Sequence, residues 1–173
     1  MVMCTRLLGE SPSSASPLAL CGHDHGSLCV YDLRATAAEP LIDAQLHEKP
    51  LLCVDVGFSG KRGVSGSADN NIHVFKLNAQ KGVCEVSNTF HLERPGTGCV
   101  EIRQDEKLFV SGGWDHRVRV YSWRKAPRPL AVLRSHDESV FSVAYSPRIG
   151  AFASSSKDCR IAVWNVFPER AQA

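Results

Sequence analysis

One group of residue types recurs three times along this sequence and constrains its fold more than any other feature. Each occurrence places a histidine, a serine, an aspartate and an aromatic residue in the same order: His47, Ser65, Asp69 and Phe75; His91, Ser111, Asp115 and Tyr121; and His136, Ser154, Asp158 and Trp164. In every set the serine lies four residues before the aspartate, and the aspartates recur at intervals in the forties. A period of that length with this signature predicts an all-β protein of the β-propeller type, in which each repeat supplies one blade.

The recurring polar residues are predicted to be structural. A single Ser/His/Asp set could be a nucleophilic triad, but a set that is present in every repeat indicates architecture. An aspartate in the turn between two strands can accept backbone N–H bonds and hold the histidine, whose other ring nitrogen can meet the serine. The serine can reach a tryptophan, so we expect shorter or differently terminated networks where Phe75 or Tyr121 stands instead. On this interpretation, removal of Asp115 leaves a buried histidine without its partner.

The pattern divides the chain into four units. A degenerate blade at 1–46 precedes blades at 47–90 and 91–135, and an incomplete blade at 136–173 follows them. The degenerate unit has His25 where the others have aspartate, and Cys21 where they have serine. Few residues follow Trp164, so we expect the last blade to lack its outer strand.

No other constellation points to catalysis, a cofactor or a metal site, so the sequence predicts a protein that is not an enzyme. The nearest candidate for a metal site is the group formed by Cys21, His23, Asp24 and His25. These residues fall in a predicted turn between strands, and no second cluster completes a four-ligand site. We therefore interpret them as turn residues.

Composition limits the range of partners. The 173 residues fit one domain, and the net charge of +2 is too balanced to indicate a nucleic-acid or membrane partner. No apolar run approaches the roughly 18 residues of a membrane span. The seven cysteines form no CxxC pair, which favours reduced thiols in the cytoplasm or nucleus. A basic stretch from Arg117 to Arg134 is interpreted as solvated outer surface.

Two segments carry a resemblance to a known family. They are Gly112-Gly113-Trp114-Asp115-His116-Arg117-Val118-Arg119-Val120 and Ser156-Lys157-Asp158-Cys159-Arg160-Ile161, the second of which leads to Trp164-Asn165-Val166. The chain resembles WD-repeat proteins and, among them, the ASTRA-associated protein 1 family of G-protein β-subunit-like proteins. The resemblance covers the C-terminal half of a seven-bladed member, so it implies about four blades of a larger propeller; a closed four-bladed ring is the alternative.

The resemblance also implies a function. It points to a non-catalytic scaffold for protein partners, in the cytoplasm and possibly the nucleus. The implied partners belong to the chaperone machinery that matures phosphatidylinositol 3-kinase-related kinases, and to ASTRA-type complexes. One alternative is a substrate receptor of a cullin-type ubiquitin ligase, suggested by Tyr31-Asp32-Leu33-Arg34. Another is a signalling G-protein β-like subunit, although no heptad helix that would hold a γ subunit is expected.

The resemblance further indicates where partners bind. In WD-repeat proteins the residue before the turn aspartate points to the narrow face around the central channel, called here the top face. The equivalent positions in this chain are Asp24, Ala68, Trp114 and Lys157. Residues of the inner strands, namely Leu52, Gly98 and Phe141, are expected to reach the same rim. Trp114, Lys157, Phe141 and Leu52 are therefore the candidate partner-binding residues, and packing of Trp114 on a neighbouring blade is the alternative.

Overall fold

A computed structural model describes residues 1–8, 17–36 and 39–167, which form four antiparallel sheets. The first sheet contains β1 (Val2–Leu8), β2 (Leu18–His23), β3 (Ser27–Asp32) and β4 (Ile42–Gln45). The second contains β5 (Leu51–Val56), β6 (Arg62–Ser67), β7 (Asn71–Asn78) and β8 (Val83–His91). The third contains β9 (Thr97–Ile102), β10 (Leu108–Gly113), β11 (Arg117–Ser122) and β12 (Pro129–Arg134). The fourth contains β13 (Val140–Tyr145), β14 (Phe152–Ser156) and β15 (Ile161–Trp164).

Each sheet is one blade of a propeller. Strands within a sheet follow chain order, and the inner strands β1, β5, β9 and β13 pack side by side in succession. This arrangement confirms the predicted all-β propeller with four blades. Within the described residues the only helical element is a 3₁₀ turn at Ala79–Lys81. No helix in this part of the chain is long and apolar enough to span a membrane. The last blade shows three strands, and residues 168–173 lie outside the description.

The alternating direction of the strands gives the propeller two distinct ends. The turns between second and third strands lie at the top end, together with the loops that connect one blade to the next. The turns between first and second strands, and between third and outer strands, lie at the bottom end. The 3₁₀ turn between β7 and β8 is therefore at the bottom, opposite the turn that contains Asp69.

The apolar core lies between neighbouring sheets, because the side chains of each sheet are buried against those of the next. One apolar cluster fills the space between blades 1 and 2 around Leu28 and Phe75, and a second fills the next space around Phe109. A third cluster surrounds Val120 and Phe152 between blades 3 and 4. Strands with polar and small residues at alternate positions can pack in this way on both faces.

Two carboxylates, one buried and one partly buried, join the inner strands across the blade seams. Asp55 on β5 accepts a backbone N–H bond from Ile102 on β9 at 2.7 Å, and its other oxygen lies 2.9 Å from Arg6 Nε on β1. Glu101, the equivalent residue on β9, accepts an N–H bond from Tyr145 on β13 at 2.7 Å. Burial raises the pKa of both carboxyl groups, although the backbone donors and Arg6 oppose that shift. These bonds fix the spacing of the strands that line the centre of the propeller.

Candidate functional site

The four top-face turn residues occupy equivalent positions in their blades. The backbone N–H of each donates to a carbonyl in the segment before the inner strand of the same blade, at 2.8 to 3.0 Å. The pairs are Asp24 with Met1, Ala68 with Pro50, Trp114 with Gly96, and Lys157 with Ser139. The alignment of repeats made from the sequence therefore corresponds to a repeated backbone geometry.

A β-bulge at the top of every inner strand places one extra residue at the same rim. The register of the inner and second strands skips one residue in each blade, and the extra residues are Met3, Leu52, Gly98 and Phe141. A bulge re-aims the side chain of the extra residue away from the regular pleat. Phe141 is 58% exposed and Met3 is 37% exposed, whereas Leu52 is half-buried. The sequence had placed Leu52, Gly98 and Phe141 on this rim, but it had not identified Met3.

Trp114 lies over the one bulge that has no side chain. A Cβ atom at Gly96 would be 2.2 Å from Cδ2 of the indole, and one at Gly98 would be 3.5 Å from Nε1. Gly96 also has a φ of 95°, which glycine adopts readily. The indole thus packs on the backbone of its own blade and still remains 43% exposed. The structure thus shows the indole both partly exposed and in contact with Gly96 and Gly98, and the use of Trp114 as a partner-binding residue stays a prediction.

Charged groups surround these apolar side chains. The ammonium group of Lys157 lies 3.7 Å from Glu138, and both side chains are at least half exposed. Arg160 pairs with Asp137 and lies 3.3 Å from Asp158 in the same blade. An apolar centre with a mixed-charge rim is the usual composition of a protein–protein interface.

The turns of blades 2 and 4 rest on buried polar networks. His47 Nδ1 lies 2.9 Å from Asp69 and Nε2 lies 2.9 Å from Ser65. The corresponding distances from His136 are 3.0 Å to Asp158 and 2.8 Å to Ser154, whose hydroxyl also accepts the Trp164 indole N–H at 2.8 Å. The network of blade 2 ends at the serine because Phe75 has no donor. Both serine side chains are buried, so these groups support the turns and are not presented to a substrate.

Blade 2 contains a second histidine beside this network. His73 on β7 stands 2.9 Å from the Thr89 hydroxyl, and its ring centroid is 4.4 Å from that of His47. Burial, followed by the neighbouring His47, lowers the pKa of His73 to about 4. Burial also lowers the pKa of His47, an effect that Asp69 only partly offsets. Two neighbouring imidazoles are thus kept neutral in the folded protein.

This pair predicts a loss of stability in mild acid. A histidine in the unfolded chain has a pKa near 6.5. As the pH falls from 6.5 towards 4, the unfolded chain therefore binds protons, whereas His73 in the folded chain remains unprotonated. Above pH 6.5 these histidines do not lower the free energy of unfolding. The free energy of unfolding then falls as the pH drops from 6.5 towards 4. We expect His73→Gln to reduce the loss of unfolding free energy between pH 7 and pH 4.5 by about 1–3 kcal/mol. Urea titrations of both proteins across that range measure the effect, and parallel pH profiles would contradict it.

The prediction that His91 belongs to the polar network of blade 3 is wrong. His91 lies at the end of β8, the outer strand of blade 2, where it is exposed and its Nδ1 is 2.8 Å from Asn71 Oδ1. The position that corresponds to His47 and His136 is Glu93, which lies 22 residues before Asp115 as the histidines lie 22 residues before their aspartates. Glu93 is 88% exposed and lies 3.9 Å from Arg117. Because β8 extends to residue 91, His91 cannot reach the third blade's turn.

Arg119 takes the place of the missing histidine. On β11 it stands opposite Ser111, and its guanidinium binds both oxygens of Asp115, at 3.0 and 2.5 Å. Both side chains are less than a tenth exposed, so the expectation of a solvated Arg119 is also wrong. Burial opposes ionisation of Asp115, yet the hydrogen bonds and charge of Arg119 outweigh it and hold the pKa of Asp115 below its usual range. Tyr121, two residues further along β11, is buried and stacks on Phe109 at a centroid distance of 4.6 Å.

The degenerate first blade has an exposed turn. His25 Nε2 lies 2.8 Å from the Ser27 hydroxyl and its Nδ1 lies 3.3 Å from Asp24, with its side chain 62% exposed. In the described part of the chain, no group of three or more His, Cys, Asp or Glu side chains is arranged to hold a metal ion. The Asp32 carboxylate of the Tyr31–Arg34 segment accepts the backbone N–H of Arg34 at 2.9 Å, which gives this residue a local role in the turn.

A sequence profile of the WD domain, G-beta repeat, matches residues 40–76, 85–122 and 127–165. The chain belongs to the WD-repeat family. Each matched WD repeat starts at the outer strand of one blade and ends with the third strand of the next. The strands β4, β8 and β12 therefore belong, by sequence, to the repeat of the blade that follows them.

Several known proteins are similar to this WD-repeat chain. Guanine nucleotide-binding protein subunit beta-like protein 1 of Mus musculus is 38% identical over 170 residues, which cover 97% of the chain and 50% of the mouse protein. ASTRA-associated protein 1 of Schizosaccharomyces japonicus is 34% identical over 123 residues, or 71% of the chain and 33% of the yeast protein. The Aspergillus flavus protein of that name is 39% identical over 113 residues, or 64% of the chain and 25% of the relative. The chain thus spans about half the length of the mouse relative and less of the fungal ones.

Proposed function

We propose that this WD-repeat chain is a non-catalytic scaffold that binds a protein partner at its top face. The observation that carries the proposal is the group of exposed apolar side chains there, Met3, Phe141 and Trp114, with Leu52 partly buried between them along the rim. Repeated bulges and backbone hydrogen bonds fix the main chain that carries these residues. Exposed tryptophan on a rigid support is the residue type most often found at the energetic centre of an interface.

The similar proteins suggest which partners to test. Relatives named ASTRA-associated protein 1 support a partner in an ASTRA-type complex, and the family resemblance supports the chaperone machinery that matures phosphatidylinositol 3-kinase-related kinases. In this proposal the chain acts as an adaptor in the cytoplasm and nucleus, with no nucleic acid, membrane or G-protein γ subunit as its partner. The buried serines of the polar networks in blades 2 and 4 support the turns that carry Ala68 and Lys157.

Replacement of Trp114 by Ala is expected to weaken partner binding about thirtyfold, because truncation of an interface-centre tryptophan typically costs about 2 kcal/mol or more. The measurement is quantitative co-purification of the kinase-maturation subunits with the tagged chain, with thermal unfolding recorded in parallel. The matched control is Phe58→Ala, which removes an aromatic side chain that is 91% exposed at the bottom end.

Two outcomes would change this assignment. Retained binding by Trp114→Ala at unchanged stability would move the interface away from the top face. If Trp114→Ala also unfolds at lower temperature, Lys157→Glu provides the second variant, because the Lys157 side chain is 65% exposed. Unchanged binding by Lys157→Glu would then contradict a top-face interface.

A further inference from the structure

The bottom end of blade 2 contains a groove lined by three lysines from one strand and the turns on either side of it. Lys61 lies in the turn before β6, Lys76 lies on β7, and Lys81 ends the 3₁₀ turn. The groove has a volume of about 430 Å³, and its remaining lining is Leu77, Asn78, Val83 and Glu85. It lies at the opposite end of the blade from the top face.

Local hydrogen bonds hold the backbone that carries these lysines. The Leu77 N–H donates to the Lys61 carbonyl at 2.8 Å, which ties the first turn to the end of β7. Asn78 caps the 3₁₀ turn, because its side-chain oxygen accepts the Lys81 N–H at 3.1 Å, and Gly82 closes the turn in the left-handed region with a φ of 65°. The ammonium groups therefore project from a fixed frame, although each stem is flexible.

The charge of the groove is only partly offset from within, by Glu85, which stands opposite Lys76 in the pairing of β7 with β8. Among the residues that the structure describes, none of the three ammonium groups lies within ion-pairing distance of a carboxylate, and Glu85 is the one acidic side chain in the lining. The nearby Arg62 is engaged elsewhere, since its guanidinium lies 4.2 Å from the Trp123 ring centroid and donates to the Trp123 carbonyl. Three like charges around one concavity attract an anion and repel one another until it binds.

We propose that this groove binds a short acidic segment of a protein partner, with clustered carboxylates against the three lysines. Leu77 and Val83 supply an aliphatic floor suited to the stem of a glutamate side chain. Among the described residues that line the groove, none has an aromatic side chain on which a base could stack, which disfavours single-stranded nucleic acid. Its volume suits a few side chains and not a folded domain. The groove is thus a second interaction surface, independent of the top face.

The test measures binding of a fluorescein-labelled peptide of alternating glutamate and glycine by fluorescence anisotropy, with a glutamine–glycine peptide as the neutral comparison. The protein concentration is kept below the onset of self-association, as checked by light scattering. We expect binding of the acidic peptide only, weakening steeply as salt rises from about 50 to about 300 mM. The triple variant Lys61→Gln, Lys76→Gln, Lys81→Gln should weaken it at least about tenfold.

Two matched variants separate the groove from overall charge. The triple variant Lys49→Gln, Lys107→Gln, Lys125→Gln makes the same change in net charge at other sites and should change the affinity less than about twofold. Glu85→Gln removes the groove's carboxylate and should tighten binding about two- to threefold. Unfolding midpoints of all variants should match that of the parent, because the replaced side chains are exposed.

Several results would overturn the proposal. These are no binding of the acidic peptide, an equal loss in the two triple variants, or no gain from Glu85→Gln. Complete displacement of the peptide by low millimolar inorganic phosphate would make the groove a site for a free anion. Tighter binding of a single-stranded oligonucleotide than of the peptide would assign it to nucleic acid.

Discussion

Asp115→Ala is expected to lower the free energy of unfolding by about 3–5 kcal/mol. The carboxylate is the partner of the buried Arg119 guanidinium, and without it that charge would remain in the protein interior with no counter-ion. The cost exceeds that of a lost neutral hydrogen bond, about 1–3 kcal/mol, because an unpaired buried charge is the more expensive defect. Urea denaturation, with midpoints and slopes compared with the parent, measures the difference.

Two further variants identify the ion pair as the cause. The double variant Asp115→Ala, Arg119→Met should recover much of the lost stability, because an apolar side chain of similar length replaces the stranded charge. His25→Ala, at the equivalent turn position of blade 1, should cost less than about 1 kcal/mol, because His25 is mostly exposed. Equal losses for Asp115→Ala and His25→Ala would refute the ion-pair explanation, and so would a double variant no more stable than the single one.

Asp55→Ala is expected to destabilise the protein by a similar amount, about 3–5 kcal/mol. Its side chain is 4% exposed and accepts from the backbone of Val56 and Ile102 as well as from Arg6. Its loss would leave the Ile102 N–H without an acceptor and separate three inner strands at once. These contacts join blades 1, 2 and 3. If the blades unfold independently without them, the dependence of the unfolding free energy on urea concentration should also become weaker.

Glu101→Gln is the matched comparison for Asp55. Glu101 makes one backbone contact, to Tyr145, and the glutamine oxygen can accept the same bond. We expect a change of less than about 1 kcal/mol for Glu101→Gln. Asp55→Asn should fall between the two, because its amide retains one acceptor but presents N–H groups to other donors. A loss for Glu101→Gln as large as that for Asp55→Ala would contradict the special role of Asp55.

The period of the aspartates was enough to predict the blades and the position of each turn. Short strands, small residues and a fixed interval constrain the chain to one architecture, and the four sheets follow it. The sequence pattern did not predict where each strand ends. His91 is in the right order for the repeat, but β8 continues to it, so the side chain belongs to the preceding blade. Counting back 22 residues from Asp115 would have identified Glu93 instead.

The pairing of Arg119 with Asp115 could also have been predicted from the sequence. Arg119 lies four residues after Asp115, on the strand that follows the turn, and faces the serine across the sheet. Without a histidine at position 93, the aspartate needs another cationic or donor group, and Arg119 is the one that the pleat directs to it. The alternation of β11 alone suggested a solvated face, because sequence does not show that blades cover both faces of a sheet.

Other features depend on contacts that no local pattern reveals. The exposure of Trp114 depends on the missing side chains at Gly96 and Gly98, which lie on a different strand and loop. The bottom groove depends on a hairpin that brings Lys61 beside Lys76 and Lys81. In both cases the residue types are visible in the sequence, but their distances follow from tertiary packing.

The offset between WD repeats and blades has a consequence for how such arrays gain or lose units during evolution. Deletion of residues 85–122 would remove β8 from blade 2 together with β9, β10 and β11. The chain would then pass from β7 to β12, and β12 could take the edge position that β8 had left. Both ends of the deleted segment lie near bottom turns, so the splice needs little rearrangement. A recombination event that deletes or duplicates one repeat therefore changes the number of blades by one and leaves the remaining blades with the number of strands that they had.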